Sequence, residues 1–229
     1  KSATHARKTI GNQLGVLSHL LTVAKEWGEL DKLPKIPLIP KKELQSKIIN
    51  FLTFGEAKSY LAMVEELYSP DNYLYVLLAL RSGLRTGELR ALLWTQINFD
   101  EGYVLVNRNL TDPAHKEDLQ KGVTHDPGVR LPKWNKIRQV PLPWDVLAAL
   151  KNAEAASESR LVFAGPLVGG FRSRSSLEKM VTRAAKRGGL NKHVHPHMLR
   201  HTYASHLVMR GVNLKVVQEL LGHATLEMT

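Results

Sequence analysis

Three prolines spaced by three, Pro34, Pro37 and Pro40, interrupt the basic run from Lys32 to Lys42. Each fixes its φ near the extended range and removes a backbone donor, so this stretch cannot be helical and favours an extended, polyproline-like path. It divides the chain into three parts: residues 1–33, a basic linker at 34–49, and residues 50–229. Before it, Ile10, Leu14, Leu17, Leu20, Leu21, Val23, Ala24 and Trp27 recur at helical spacing, which predicts one or two helices between Thr4 and Leu30. That segment is too short to bury a core of its own and reads as the end of a longer helical module. The part after the linker is long enough for a full hydrophobic core.

Charge narrows the function. The chain of 229 residues carries a formal net charge of +11, and +5 of it lies in residues 1–49. Such an excess points toward a polyanion, with DNA, RNA and an anionic membrane surface all open on this ground. There is no cysteine, which excludes disulfides, thiolate metal sites and a cysteine nucleophile. No apolar run approaches the length of a membrane span, and the opening residues lack the apolar segment of a signal peptide. A soluble, cytoplasmic protein is expected.

Past the linker, Thr53-Phe54-Gly55-Glu56 opens a helical pattern through Ala57, Leu61, Val64 and Leu67, which Ser69-Pro70 stops. Asn72 to Leu80 is almost wholly apolar, as a buried helix would be. A short helix over Thr86 to Trp94 follows, with Thr86 as its N-cap. From Ile97 the period changes to two, giving a turn at Asp100-Glu101-Gly102 and a strand at Tyr103–Val106. Thr111 to Val129 reads as a long loop, and Leu131 to Leu142 as a hairpin turning at Trp134-Asn135. Helices are expected again over Trp144–Ala156, Ser175–Arg187, Pro196–Met209 and Asn213–Leu221. The fold class is mainly α with a small antiparallel β-sheet (α+β).

Four polar clusters interrupt this framework. In His193-Val194-His195-Pro196-His197-Met198-Leu199-Arg200-His201, Pro196 suits a first helical turn. His197, Arg200 and His201 then share a face near the positive end of a helix, which suits a phosphate; a solvated face with a core histidine, or a histidine metal site, fits the same residues. Arg85, flanked by Gly83 and Gly87 and followed by Glu88, lies at a junction of apolar helices, where a purely structural Arg–Glu pair is the plain reading. Pro132-Lys133-Trp134-Asn135-Lys136-Ile137-Arg138 is a hairpin with three cations, of a kind that often only touches phosphate. Leu220-Leu221-Gly222-His223 is a helix C-cap followed by a histidine.

Taken in order, GLRTGEL around Arg85, KWNKIRQVPL with Lys133, HMLRHTYASHL with His197 and Arg200, and LLGHATLEMT with His223 resemble the tyrosine recombinase (phage integrase) family. The resemblance extends to Trp94-Thr95-Gln96-Ile97 and Phe51-Leu52-Thr53 and covers residues 50–229. Residues 1–33 look like the end of that family's helical core-binding domain.

The resemblance implies a recombinase or integrase of a mobile element, in which a tyrosine attacks a DNA phosphodiester and leaves a 3′-phosphotyrosyl link. Arg85 and Arg200 would hold the phosphate, Lys133 would protonate the departing 5′-oxygen, His197 would shuttle the tyrosine's proton and His223 would assist. Glu88 would orient Arg85 or stabilise the fold, without a chemical step. No metal, ATP or other cofactor is required. The family's tyrosine falls about nine residues after the LGH histidine, beyond Thr229. The chain as written is therefore expected to bind DNA without cutting it, and Tyr203 is expected to be a buried aromatic rather than a substitute. A type IB topoisomerase and a non-catalytic DNA-binding regulator are the alternatives on the same fold. Implied partners are a double-stranded DNA attachment site, three further copies in a homotetramer on DNA (a monomer when free), and accessory bending or directionality factors. Phosphate contacts are expected from Lys32, Lys35, Lys41, Lys42, Lys136, Arg138, Arg172, Arg174, Lys179 and Arg183.

Overall fold

A computed structural model describes residues 7–37, 50–111, 128–132, 136–166 and 170–223. The chain divides into two units, Lys1–Ile49 and Asn50–Thr229. In the first, the apolar periodicity forms one helix, α1 (Arg7–Glu26), on which Val16, Leu17 and Leu20 are exposed, as is Trp27 just past its end.

The second unit is built around α3 (Pro70–Ser82), whose residues Leu74 to Leu80 are all buried. A helix apolar on every side needs partners on every side. These are α2 (Phe54–Leu67), α5 (Trp144–Ala155) and α7 (Pro196–Met209), with α6 (Arg174–Arg187) packing on α2 and α7. Tyr60, Tyr75, Phe163, Met198 and Leu199 fill the shared core. Thr53 caps α2 through a capping box: its hydroxyl accepts the Glu56 N–H at 3.2 Å, and its own N–H donates to Glu56 Oε2 at 2.7 Å.

The chain leading into α2 is bonded to α7. Leu52 N–H donates to Thr202 Oγ1 at 3.0 Å, and its carbonyl lies 2.8 Å from His206 Nε2. Lys192 Nζ donates to the Phe51 carbonyl at 3.0 Å and to Glu56 Oε2 at 2.7 Å.

The helix expected over Thr86–Trp94 is shorter. It runs as α4 (Thr86–Arg90), and a 3-10 turn follows at Trp94–Gln96. Its N-cap is Arg85, because the Glu88 carboxylate accepts the Arg85 N–H at 2.7 Å. The strands form two small antiparallel sheets. One has the order β1 (Ile97–Asn98), β2 (Tyr103–Val106), β5 (Arg138–Pro141), and the other pairs β3 (Asn109–Leu110) with β4 (Val129–Arg130). The strand pairing expected for the hairpin over Leu131–Leu142 is thereby corrected: β5, within it, pairs with β2, and β4, just before it, pairs with β3, while the expected turn at Trp134-Asn135 lies outside the described residues. Burial explains this choice, since the β2–β5 register sets Val104 opposite Val140, both fully buried. The last helix, α8 (Leu214–Leu221), packs on α7 through Tyr203, Ala204, Val217 and Leu221. Residues 112–127, within the expected loop, lie outside the described residues.

Candidate active site

The site forms where three chain turns meet: the end of α3, the start of α4 and the end of α8. Gly83 ends α3 in the left-handed region at φ 62°, a conformation open to glycine at low cost. A side chain could not fit there either, because an added Cβ would lie 2.4 Å from a ring carbon of the buried Tyr203.

Arg200, 2% exposed on α7, uses this construction. Its Nη1 donates to the Gly83 carbonyl at 2.7 Å and its Nη2 to the Leu221 carbonyl at 2.5 Å. A cation here sits against the negative ends of two helices. Burial and the nearby Arg85 pull its pKa down to about 9, which leaves it protonated at neutral pH.

Two more arginines grip the same helix end. Arg85 Nη2 donates to the Gly222 carbonyl at 3.0 Å, and Arg138 Nε donates to the Leu220 carbonyl at 2.7 Å. The consecutive carbonyls of Leu220, Leu221 and Gly222 thus each receive a different guanidinium. One carboxylate joins them: Glu88, 2% exposed, takes Arg85 Nη1 at 2.9 Å and both Nη atoms of Arg138 at 2.9 and 2.7 Å. Burial pulls the Glu88 carboxyl upward, but hydrogen bonds and charge from Arg138, with the charge of Arg85, outweigh it and the net shift is downward. Three guanidiniums against one carboxylate leave a net positive charge, which favours an anion.

The histidines stand around this charge. Pro196 starts α7, and His195 caps it, its Nδ1 accepting the Met198 N–H at 3.3 Å. His197 and His201, one turn apart, meet edge to face with centroids 4.5 Å apart. The His223 carbonyl accepts from Gln218 Nε2 at 3.2 Å and Lys136 Nζ at 3.3 Å. The packing around His197 and His223 strips water from both rings, and the neighbouring cationic and imidazole groups add to this, so each pKa falls to about 4. Both are neutral imidazoles at pH 7, able to accept a proton on one ring nitrogen and to donate a hydrogen bond from the other. A cleft of about 850 Å³ opens beside His197, lined among others by Arg85, Arg90, Arg174, His193 and His195.

The structure therefore brings together Arg85, His197, Arg200 and His223 from distant parts of the sequence. Lys133, Lys41 and Lys42 lie outside the described residues. Lys32, Lys35, Lys136, Arg174, Lys179 and Arg183 are exposed, with Arg174 Nε 2.9 Å from Glu178 Oε1. Two expected phosphate contacts turn inward instead. The Arg138 side chain is 7% exposed and committed to Glu88 and Leu220. Arg172 reaches Asn72 Oδ1 at 2.6 Å through Nη2, and its Nη1 is buried. Strand alternation carries the signal for Arg138, since it shares a face with the buried Val140. Tyr203 is 8% exposed, and burial raises its hydroxyl to about 12, so it stays protonated.

The phage integrase family profile matches residues 50–229, the whole unit that holds this site. The chain belongs to the phage integrase family. Among relatives, it is 32% identical over 191 residues to a tyrosine recombinase of Thermosipho africanus (strain TCF52B), covering 83% of this chain and 59% of that protein. It is 32% identical over 237 residues to the tyrosine recombinase XerC of Xylella fastidiosa (strain M23), covering 100% of this chain and 71% of that one. Among solved structures, the Tn1549 transposon integrase in complex with a circular intermediate DNA matches with a TM-score of 0.78 at 20% identity, over 99% of this chain and 74% of that one. The last likeness establishes the fold. No helix among the described residues is long and apolar enough to cross a membrane.

Proposed function

We propose that this family member is a site-specific DNA recombinase that cuts and rejoins strands through a 3′-phosphotyrosyl intermediate, integrating or excising a mobile element. The observation that carries this reading is the cluster of Arg85, Arg138 and Arg200 on consecutive carbonyls, with Glu88 paired to Arg85 and Arg138. Among the described residues, internal bonds engage two of the five N–H donors on each of Arg85 and Arg200, which leaves donors on each fork for a phosphate. In attack by a tyrosine, the phosphorus gains negative charge on its nonbridging oxygens, and fixed donors then bind the transition state more strongly than the ground state.

The remaining roles are those that the family resemblance implies, and they balance the protons. The phosphorus–O5′ bond breaks as the phosphorus–tyrosyl bond forms. Neutral His197 accepts the phenolic proton, and Lys133 supplies one to the departing 5′-oxygen. His223 donates to a nonbridging oxygen. The nucleophile is a tyrosine that the family's motif places about nine residues after His223. Exchange of one phosphodiester for another conserves bond energy, so no nucleotide is consumed. The partner is a duplex attachment site, occupied by a homotetramer with accessory bending or directionality factors.

The test uses the protein extended through that tyrosine, with two plasmids bearing the DNA that flanks its coding element, in chelator and without nucleotide. Recombinant products joined at one defined position are expected. Relaxation of supercoils without site preference would assign a topoisomerase, and binding without cutting a regulator; either result overturns the proposal.

A further inference from the structure

Arg138 is the one member of the arginine cluster that has no role in the chemistry above, and it makes three charge-assisted or carbonyl bonds from one buried side chain. Its two Nη atoms hold the two oxygens of Glu88 separately, at 2.9 and 2.7 Å, while Nε holds the Leu220 carbonyl at 2.7 Å. Glu88 Oε1 is the oxygen that Arg85 Nη1 also contacts, and Glu88 Oε2 is the one that takes the Arg85 N–H. Gly222 lies bare against the same guanidinium: a Cβ there would stand 3.1 Å from Arg138 Nη1 and 3.3 Å from its Cδ. The strand bearing Arg138 is itself fixed by pairing with β2, where Val106 lies opposite Arg138.

We propose that Arg138 is a positioning residue, which locks the Glu88 carboxylate in the one orientation that aims the Arg85 fork and at the same time fixes the α8 terminus that carries His223. The geometry explains why an arginine is required. A lysine is a single point charge and cannot span both carboxylate oxygens and a carbonyl at once. With the second fork gone, Glu88 keeps only its bonds to the Arg85 N–H and Nη1, so its carboxylate is held from one side and the Arg85 fork loses its fixed aim. The bare Gly222 leaves room for the guanidinium plane and for nothing larger.

The experiment compares Arg138→Lys, with Arg138→Gln as a second variant in case lysine costs too much stability. The first readout is the Arg85 side-chain Nε–H resonance of the chain, assigned by its absence in Arg85→Lys. It is expected to be sharp and dispersed in the unsubstituted chain and to shift and broaden in both variants while the backbone amide spectrum stays folded. The second readout rests on the recombinase reading and uses the protein extended through the tyrosine. Covalent adduct formation at saturating DNA slows about 10- to 100-fold, the size typical of losing a supporting partner, while DNA affinity changes less than about threefold, since Arg138 itself touches no phosphate and the misaimed Arg85 stays charged beside one among many phosphate contacts. With a methylphosphonate at the scissile position, which lacks one charged oxygen, the slowing shrinks, because that substrate depends less on Arg85. An unchanged Arg85 resonance, or a weakened affinity whose log–log salt slope drops by about 0.9 with the saturated rate intact, overturns the proposal and returns Arg138 to phosphate contact. If the unsubstituted protein forms no adduct while the Arg85 resonance responds as stated, the recombinase reading fails and the positioning role stands.

Discussion

Replacing Gly83 by alanine perturbs two separable quantities. Its φ of 62° lies in the left-handed region, which costs a residue with a Cβ roughly 1–2 kcal/mol. The added Cβ would also stand 2.4 Å from Tyr203 Cδ1 and 3.1 Å from Leu221 Cδ2. Neither side chain can swing into solvent, as they are 8% and 1% exposed. Forcing a methyl into such packing costs about 1–3 kcal/mol, so together the loss is about 2–5 kcal/mol. Gly189 isolates the first quantity, having φ 64° and nothing within 4 Å of an added Cβ. At roughly 2–4 °C per kcal/mol for a domain of this size, Gly189→Ala lowers the melting temperature by about 2–8 °C and Gly83→Ala by about 4–20 °C. A calorimetric melt of both variants reads the difference. Because the Gly83 carbonyl also holds Arg200, the Gly83 variant binds duplex DNA about tenfold more weakly even well below its melt, the scale of losing one hydrogen bond to a charged group. Equal destabilisation of the two variants would refute the steric argument, and unchanged DNA affinity would refute the link to Arg200.

The neutral imidazoles predict a pH response. His197 and His223 titrate near 4 in the folded chain but near 6.5 when unfolded. The unfolded state therefore binds more protons between these values, and stability present above about pH 6.5 falls as the pH drops toward 4. Urea midpoints at pH 7.5 and 5.5 test this, and a His197→Gln variant should show a smaller loss over that interval. A flat or rising stability would contradict the assignment. Thr202, fully buried, accepts the Leu52 N–H and donates to the Met198 carbonyl; Thr202→Val leaves that N–H unpaired and costs about 1–3 kcal/mol in chemical denaturation. The exposed Lys179 and Arg183 flank a shallow concavity on α6. Alanine at each lowers the slope of log affinity against log salt by about 0.9, equally for all DNA sequences, as phosphate contacts do; a sequence-dependent loss would indicate base reading instead.

The catalytic candidates were legible because each sits in a short motif with local cause: a glycine ending a helix before Arg85, a proline starting one before Arg200, a glycine ending one before His223. The periodicity of α3 and α8 was legible for the same reason. What local pattern could not reveal was who pairs with whom across the fold. Arg138 looked like one more cation on a basic hairpin, although its two-residue spacing from Val140 marks an inward face. Its partner Glu88 lies fifty residues earlier in the chain. Arg172 likewise finds Asn72 one hundred residues away. The turn residues at Trp134-Asn135 suggest a reversal but not a partner, and burial of Val140 against Val104 decides that β5 pairs with β2.

The most direct test is the covalent intermediate. The protein extended through the tyrosine expected after Thr229 is mixed with a nicked duplex attachment site in chelator and resolved under denaturing conditions. The account predicts a protein–DNA adduct joined through a 3′-phosphate to that tyrosine, with a free 5′-hydroxyl released, and its loss in Arg200→Ala. No adduct on any such site, or cleavage that requires a divalent metal, would contradict it.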